Sequence, residues 1–141
     1  GTRCRQLATY VIFDSPLNML CDNPSNYKRE PECTAFIARI PTVWDETLGL
    51  DGKVGEYITM ARRSGDEWYV GGLTNWDKRD ITVDLSFLGE GFYEIELFKD
   101  GINADRAACD YKRVVMPVPE DRQLKVTLFP GGGFAGRIKR R

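Results

Sequence analysis

Histidine is absent from the 141 residues of this sequence, and its absence excludes several kinds of chemistry. Without it there is no Ser-His-Asp or Cys-His nucleophile and no histidine-ligated zinc site. There is also no CxxC pair among Cys4, Cys21, Cys33 and Cys109, which argues against a zinc knuckle or a thioredoxin-type motif. We interpret the cysteines as small buried apolar residues, and a disulfide such as Cys21 to Cys33 stays open. Carboxylate, tyrosine or lysine chemistry, or no catalysis, are the classes left.

The sequence also lacks a long apolar run and an excess of either charge. No stretch is long enough to span a bilayer, and no signal peptide is visible. The 20 Lys and Arg are matched by 21 Asp and Glu, so nothing indicates nucleic acid or an anionic membrane as a partner. Hydrophobic residues make up 42%, as in a folded chain of one domain or slightly more.

The pattern changes near Pro41, from helical periodicity to short strands. Residues 7–13 are almost entirely apolar and predict a helix buried on several sides. Residues 16–21 suit a short buried strand, and the apolar spacing over residues 33–40 predicts a second helix. A single buried strand needs neighbours on both sides. Residues 1–41 therefore predict part of a larger α/β architecture, and the chain is interpreted as a fragment of a longer protein.

From residue 42 onward, apolar and polar residues alternate between turn signals. Ser64-Gly65-Asp66 predicts a hairpin turn, and Gly131-Gly132-Gly133 predicts a bend between strands, since the lysine and helix of a phosphate loop are missing. About seven or eight short strands predict an antiparallel β-sandwich over residues 42–141. The clearest predicted strands are residues 56–63, 68–74, 81–85, 93–97, 124–128 and 134–138.

Five acidic residues are candidates for a catalytic pair, since glycoside cleavage needs two carboxylates about 5–10 Å apart. Adjacent acids such as Asp45 and Glu46 point to opposite sides of a strand and cannot act as one pair. Acids at a helix start favour the macrodipole. No convincing pair is present, and the acids are interpreted as surface charges. The acids considered are Asp22, Glu30, Glu32, Asp45 and Glu46.

The aromatic residues are interpreted as core or interface residues, with a sugar-stacking platform as the alternative. In a strand, Trp68 and Val70 share one face while Tyr69 and Leu73 share the other. Some phenylalanines lie off the inward register of their strands and are expected to be exposed or buried against a partner surface. These are Phe92, Phe98 and Phe129.

Several short segments, spread in order over almost the whole chain, carry a family resemblance through their combined order and spacing. They are Gly1-Thr2-Arg3, Gln6-Leu7-Ala8, Ser15-Pro16-Leu17, Asp22-Asn23-Pro24, Ile40-Pro41-Thr42-Val43-Trp44-Asp45-Glu46-Thr47, Gly71-Gly72-Leu73-Thr74-Asn75-Trp76, Asp100-Gly101-Ile102-Asn103-Ala104-Asp105 and Pro130-Gly131-Gly132-Gly133-Phe134. Together they resemble the C-terminal end of glycoside hydrolase family 97, known for α-glucosidases and α-galactosidases of Bacteroides-type bacteria.

The resemblance implies a mainly β fold. Residues 1–41 would be the last strand and flanking helices of a catalytic (β/α)8 barrel, and residues 42–141 the C-terminal sandwich that the family associates with packing and oligomerisation. The family's catalytic and calcium-binding glutamates lie earlier in the barrel and match no segment here. No catalytic residue, metal ligand or cofactor is therefore assigned to this chain. Asp22 and Asn23 would line the active-site rim of the parent enzyme.

The leading hypothesis is a non-catalytic structural and oligomerisation module of a parent enzyme that cleaves α-glucosidic or α-galactosidic bonds. The alternative is a carbohydrate-binding module with exposed aromatics, while a free-standing hydrolase lacks a carboxylate pair. The expected partners are the rest of the parent and further copies of the chain, with carbohydrate bound only through the parent. No nucleic acid or membrane partner is expected, and the resemblance implies a periplasmic or secreted location.

The first predicted helix is a candidate interface, because its apolar side chains would have packed on barrel strands that this chain lacks. Exposing a large apolar side chain costs about 1.5–3 kcal/mol. The helix should therefore dock on the sandwich, pair across a two-fold axis or swap between protomers, and dimerisation is the expectation. The interface candidates are Leu7, Tyr10, Val11, Ile12 and Phe13.

Overall fold

The computed structural model describes residues 2–13, 31–104 and 110–141. The predicted strand at residues 16–21, together with Asp22 and Asn23, lies outside the described residues. Two helices and eight strands are described, with a short 3-10 helix at Ser86–Leu88 after the fourth strand. They are α1 (Arg3–Ile12), α2 (Pro31–Arg39), β1 (Glu46–Lys53), β2 (Tyr57–Ser64), β3 (Glu67–Thr74), β4 (Arg79–Asp84), β5 (Tyr93–Asp100), β6 (Tyr111–Pro117), β7 (Gln123–Leu128) and β8 (Gly133–Arg140).

The strands form two antiparallel sheets, which confirms the predicted fold class. The larger sheet has the order β1-β2-β3-β8-β5-β6, and the smaller one pairs β4 with β7. β8, the last strand of the chain, lies in the middle of the larger sheet between β3 and β5. β1 and β6 are the edges of that sheet.

The predicted turns fall where the chain reverses. Ser64 pairs with Glu67 across the β2–β3 hairpin, and Gly65 takes φ +60°, a conformation that glycine adopts without strain. The three-glycine segment forms the turn from β7 to β8, with Gly131 at φ +67°. The hairpin and the bend are therefore both confirmed.

The larger sheet packs on both sides. Its inter-sheet face, which looks toward β4 and β7, contributes apolar residues at alternate positions to the main core. Trp68 and Val70 lie on this face, whereas Tyr69 and Leu73 belong to the clusters on the opposite side, as the alternation predicts. The buried members of the main core are Ala61, Val70, Val83, Leu85, Leu88, Tyr93, Ile95, Leu97, Val118, Leu124, Val126, Leu128, Phe134 and Ile138.

The opposite side, the helix face, is covered by α1 and α2. Leu7 and Val11 of α1 are fully buried in a cluster with Tyr69 and Phe98 of the sheet. Phe36 of α2 packs edge-on against the Phe98 ring, with centroids 5.1 Å apart. Neither helix in the described part of the chain combines the length and apolar character that a membrane span requires.

The sequence-based expectation that α1 needs strands missing from this chain is corrected by this packing. The helix is buried against β3 and β8 of its own sandwich, so docking within one chain is the arrangement adopted. Leu7, Val11 and Ile12 have little or no surface left for a second copy. Tyr10 is half-buried, and Phe13 just beyond the helix is 55% exposed.

Candidate functional site

The contact between α1 and the sandwich depends on glycines in the two strands beneath the helix. A Cβ on Gly71 would lie 3.2 Å from the Val11 Cβ and 3.4 Å from the Ala8 carbonyl oxygen. A Cβ on Gly133 would lie 3.0 Å from the Arg5 Cα. Because both positions lack a side chain, the helix backbone approaches the sheet closely.

Both ends of α1 are tied to the sandwich by hydrogen bonds. At the start, the Thr2 hydroxyl caps the helix by accepting from the Arg5 N–H at 3.1 Å, and the Thr2 N–H donates to the Gly131 carbonyl at 3.3 Å. The Arg5 guanidinium donates to the Thr74 carbonyl of β3. At the other end, buried Arg62 of β2 donates to the Ile12 carbonyl at 2.7 Å, where a cation also favours the helix dipole.

Asp100, at the end of β5, joins the helix start to the glycine turn. Its carboxylate accepts the Phe129 N–H at 3.1 Å and the Gly133 N–H at 3.3 Å, and it accepts a hydrogen bond from the Thr2 side chain. Burial raises the pKa of Asp100 above its ordinary value, and these hydrogen bonds act in the opposite direction. A Cβ on Gly132 would lie 2.0 Å from the carboxylate, so this position needs glycine.

A row of alternating charges crosses the helix face toward α2. Arg137 of β8 lies 3.3 Å from Glu67 of β3 and 3.8 Å from Glu96 of β5. Arg113 of β6 lies 2.7 Å from Glu96 and 3.9 Å from Glu32 of α2. Arg137 and Glu96 are largely buried, where a paired charge is much less costly than a lone one. The row therefore links four neighbouring strands to the second helix.

The acids considered from the sequence occupy structural contacts where the structure describes them. Glu32 accepts a hydrogen bond from Tyr111 at 3.1 Å besides its contact with Arg113. Asp45 accepts the Gly65 N–H at 2.8 Å, and Glu46 lies 3.4 Å from the Arg63 guanidinium. Asp22 and Glu30 lie outside the described residues. None of the described three is placed as a free carboxylate aimed into a cleft.

A groove of about 440 Å³ lies between the start of α1 and the β1–β2 hairpin. Of the described residues that line it, Glu56 is the only acid. Hydrogen bonding from Lys53, helped by Arg79, lowers the pKa of Glu56, so this carboxylate stays ionised and paired. Arg79 also lies 3.6 Å from Asp77, so the two carboxylates share one arginine, and an ionised Glu56 does not supply the proton donor that glycoside hydrolysis needs. Among the described residues, no group of three or more acids and cysteines is placed to hold a metal ion.

The aromatic rings point mainly inward. Trp68 packs against Phe87 in the inter-sheet core, with centroids 4.5 Å apart, and Trp44 packs edge-on against buried Tyr69. Trp76, at 77% exposure, stands apart from these rings. Trp44, Trp68, Tyr69 and Trp76 therefore form no exposed stacking row and do not favour the sugar-binding alternative.

The three phenylalanines predicted to lie off the inward register differ in how deeply they are buried. Phe98 is fully buried under the two helices, Phe92 is exposed, and Phe129 is partly buried beneath Lys78. The partner surface that covers Phe98 is therefore supplied by the N-terminal part of the same chain.

Sequence reasoning missed the polar residues that hold the helix face together. Arg62 and Arg137 occupy strand positions that alternate with apolar residues, where a charge normally faces solvent. Glu96 likewise alternates with the apolar residues Ile95 and Leu97 of its strand. Glu96 pairs with arginines from strands that are distant in the sequence. No local sequence pattern marks such a pairing.

Three comparisons place these features in a family. A family profile described as "Glycosyl-hydrolase 97 C-terminal, oligomerisation" matches residues 43–139. A retaining alpha-galactosidase of Bacteroides thetaiotaomicron is 68% identical over 139 residues, which are 99% of this chain and 21% of that protein. A probable retaining alpha-galactosidase of Streptomyces bingchenggensis is 32% identical over 92% of this chain and 19% of that protein.

Solved structures agree in shape as well as in sequence. A glycoside hydrolase family 97 enzyme of Pseudoalteromonas sp. strain K8, solved with acarbose, superimposes with a TM-score of 0.91 at 36% identity. The superposition covers 99% of this chain and 23% of that one. This chain thus spans about a fifth of the length of the relatives it matches. It belongs to glycoside hydrolase family 97, of which it carries the C-terminal oligomerisation domain.

Proposed function

We propose that this chain is a non-catalytic module that closes the end of a catalytic barrel and joins copies of the enzyme. Residues 1–41 would be the last part of the barrel, and residues 42–141 the sandwich. Two observations support this division. The family profile begins at residue 43, whereas similarity to the Bacteroides relative extends over 99% of the chain. The main support for the structural role is that hydrogen bonds tie both ends of α1 to the sandwich.

The parent enzyme is proposed to hydrolyse α-galactosidic bonds with retention. The support is the 68% identity to a retaining alpha-galactosidase over this segment; the family resemblance also admits α-glucosidic substrates. The catalytic carboxylates and the calcium that the resemblance implies would belong to the rest of the parent, and this chain would need no cofactor. Asp22 and Asn23 are proposed to line the active-site rim of the parent.

The proposed partners are the rest of the parent and further copies of the same chain, and carbohydrate is expected to bind only through the parent. A periplasmic or secreted location is proposed from the same family resemblance. Fractionation of cells that express the complete enzyme tests the location: activity retained in the cytoplasmic fraction would contradict it.

Two measurements on the isolated chain test the module. It should not hydrolyse aryl α-galactosides or α-glucosides, with or without calcium, because the family's catalytic glutamates match no segment of it and its described candidate acids are held in hydrogen bonds and ion pairs. It should also self-associate in a light-scattering dilution series. Turnover that follows the protein peak through purification would contradict the non-catalytic role, and a monomer at every concentration would contradict the joining role.

A further inference from the structure

The two edge strands of the larger sheet, β1 and β6, differ in how regularly their unpaired backbone groups are arranged. β1 is interrupted by a register shift between Gly49 and Asp51, and its residues are mostly exposed. A bulge is one of the usual ways of protecting an edge from pairing. β6 pairs with β5 without any register shift. Of the two edges, β6 is therefore the one suited to accept another strand.

The hydrogen bonds that flank β6 show which of its backbone groups are free to pair. Val118 donates to the Tyr93 carbonyl at 2.9 Å, and Gly101 donates to the Asp110 carbonyl at 3.0 Å. In an antiparallel ladder, such hydrogen-bonded pairs recur at every second residue. Residues 112, 114 and 116 therefore bond to β5, while residues 111, 113 and 115 direct their N–H and C=O groups away from the sheet. No described residue bonds to these outward groups.

We propose that β6 pairs edge to edge with β6 of a second copy of this chain, antiparallel about a two-fold axis at Val114. The proposal rests on the self-association in the proposed function and names the surface that carries it. In this register Arg113 and Val115 exchange their outward hydrogen bonds with Val115 and Arg113 of the second copy. Tyr111 donates to the Pro117 carbonyl of the second copy. The larger sheet then continues across both copies.

Charge selects this register over its neighbour. A shift of the axis to Arg113 would place two arginines directly opposite each other, which is unfavourable in an antiparallel pair. With the axis at Val114, each arginine faces a valine. The Arg113 guanidinium is also held back toward the sheet by Glu96 at 2.7 Å, so it leaves the edge beside Val115 clear.

The β6 edge exposes apolar side chains that a second copy of the chain could cover. Val115 is 47% exposed on the helix face. Val114 and Met116 lie on the inter-sheet side and are only partly buried. The two-fold arrangement places Val114 against Val114 of the second copy in a close, non-hydrogen-bonded pair, which extends the inter-sheet core across the interface.

Paired lysine substitutions test the surface in the 141-residue chain. Val115→Lys introduces a charge at the proposed edge, and Val54→Lys is the matched control, because Val54 is a fully exposed valine at the tip of the β1–β2 hairpin. Sedimentation equilibrium should show that Val115→Lys raises the dimer Kd by about tenfold or more, while Val54→Lys leaves it unchanged. Equal melting temperatures of both variants at monomeric concentration would exclude misfolding as the cause.

Amide hydrogen exchange measured by NMR tests the pairing of β6 directly, without a substitution. The amides of Arg113 and Val115 should exchange fast in dilute samples and become protected as the concentration rises, while those of Lys112 and Val114 are protected throughout. A dimer in which the first two stay fast and Val115→Lys has no effect would overturn the edge assignment but leave the joining role standing. A strict monomer would overturn both.

Discussion

The two faces of the larger sheet are both buried, but different kinds of contact bury them. The inter-sheet face is sealed by apolar side chains of strands that alternate regularly with polar ones. The helix face is sealed by two helices from the first 40 residues, and it adds a buried arginine, a buried aspartate and a row of ion pairs. The first face makes a β-sandwich; the second joins the sandwich to the segment that precedes it.

Removal of residues 1–41 is the strongest test of this difference. Residues 42–141 keep the whole inter-sheet core, so they should retain a β-type circular dichroism spectrum and a cooperative melt. They would expose Tyr69 and Phe98, each at a cost of about 1.5–3 kcal/mol. A lower melting temperature and binding of a hydrophobic dye are therefore expected. A molten or aggregated product would show that the two faces form one inseparable core.

Truncation of neighbouring residues on β5 compares the faces with a smaller perturbation. Leu97 belongs to the inter-sheet core and Phe98 to the helix face, and both are buried. Leu97→Ala and Phe98→Ala should each cost about 2–5 kcal/mol. In Phe98→Ala, amide exchange should accelerate in α1 more than in β7, whereas Leu97→Ala should accelerate both. Identical exchange patterns in the two variants would contradict separate faces.

The smallest expected effect is the pH dependence that Asp100 contributes at the helix junction. Because its pKa is raised in the folded chain, its contribution to stability is complete below about pH 4 and is lost as the pH rises through the folded pKa. Urea midpoints should therefore show the stability of Asp100→Asn rising relative to that of the wild type as the pH increases from about 4 to 7.

Asp84→Asn is the control with the opposite sign. The Ser86 N–H lowers the pKa of Asp84, so the Asp84 contribution is present above its unfolded pKa and is lost as the pH falls. A stability difference that runs the same way with pH in both variants would contradict the assignment at Asp100.

Much of the sandwich could be predicted because its signals are local. The alternation of apolar and polar residues predicts β2, β3, β4, β5, β7 and β8. Glycines mark the turns that join several of these strands. β1 and β6 were not located individually. β1 contains two glycines and faces solvent along most of its length, and β6 is an edge with few buried residues, so neither carries a clear apolar alternation.

The contacts between the helices and the larger sheet could not be predicted from local sequence patterns, because the residues that make them are far apart in the chain. The spacing of α2 predicted its existence, and the apolar run predicted α1, but neither pattern named the surface that receives them. Asp100 stands in one of the segments that carry the family resemblance, but nothing near it in the sequence reveals its hydrogen bond with Gly133. Such contacts follow from the topology and not from any window of sequence.

The central position of β8 has a consequence for how the chain folds during synthesis. β3 and β5 have no direct pairing with each other and meet only through β8, and the seat of α1 includes Gly133 at the start of that strand. Because α1 is synthesised before β8, the helix must wait for that strand before its seat is complete. Such non-local closure slows folding and prolongs the exposure of apolar surface. A chain that stops before β8 lacks the centre of the larger sheet and part of the surface that receives α1.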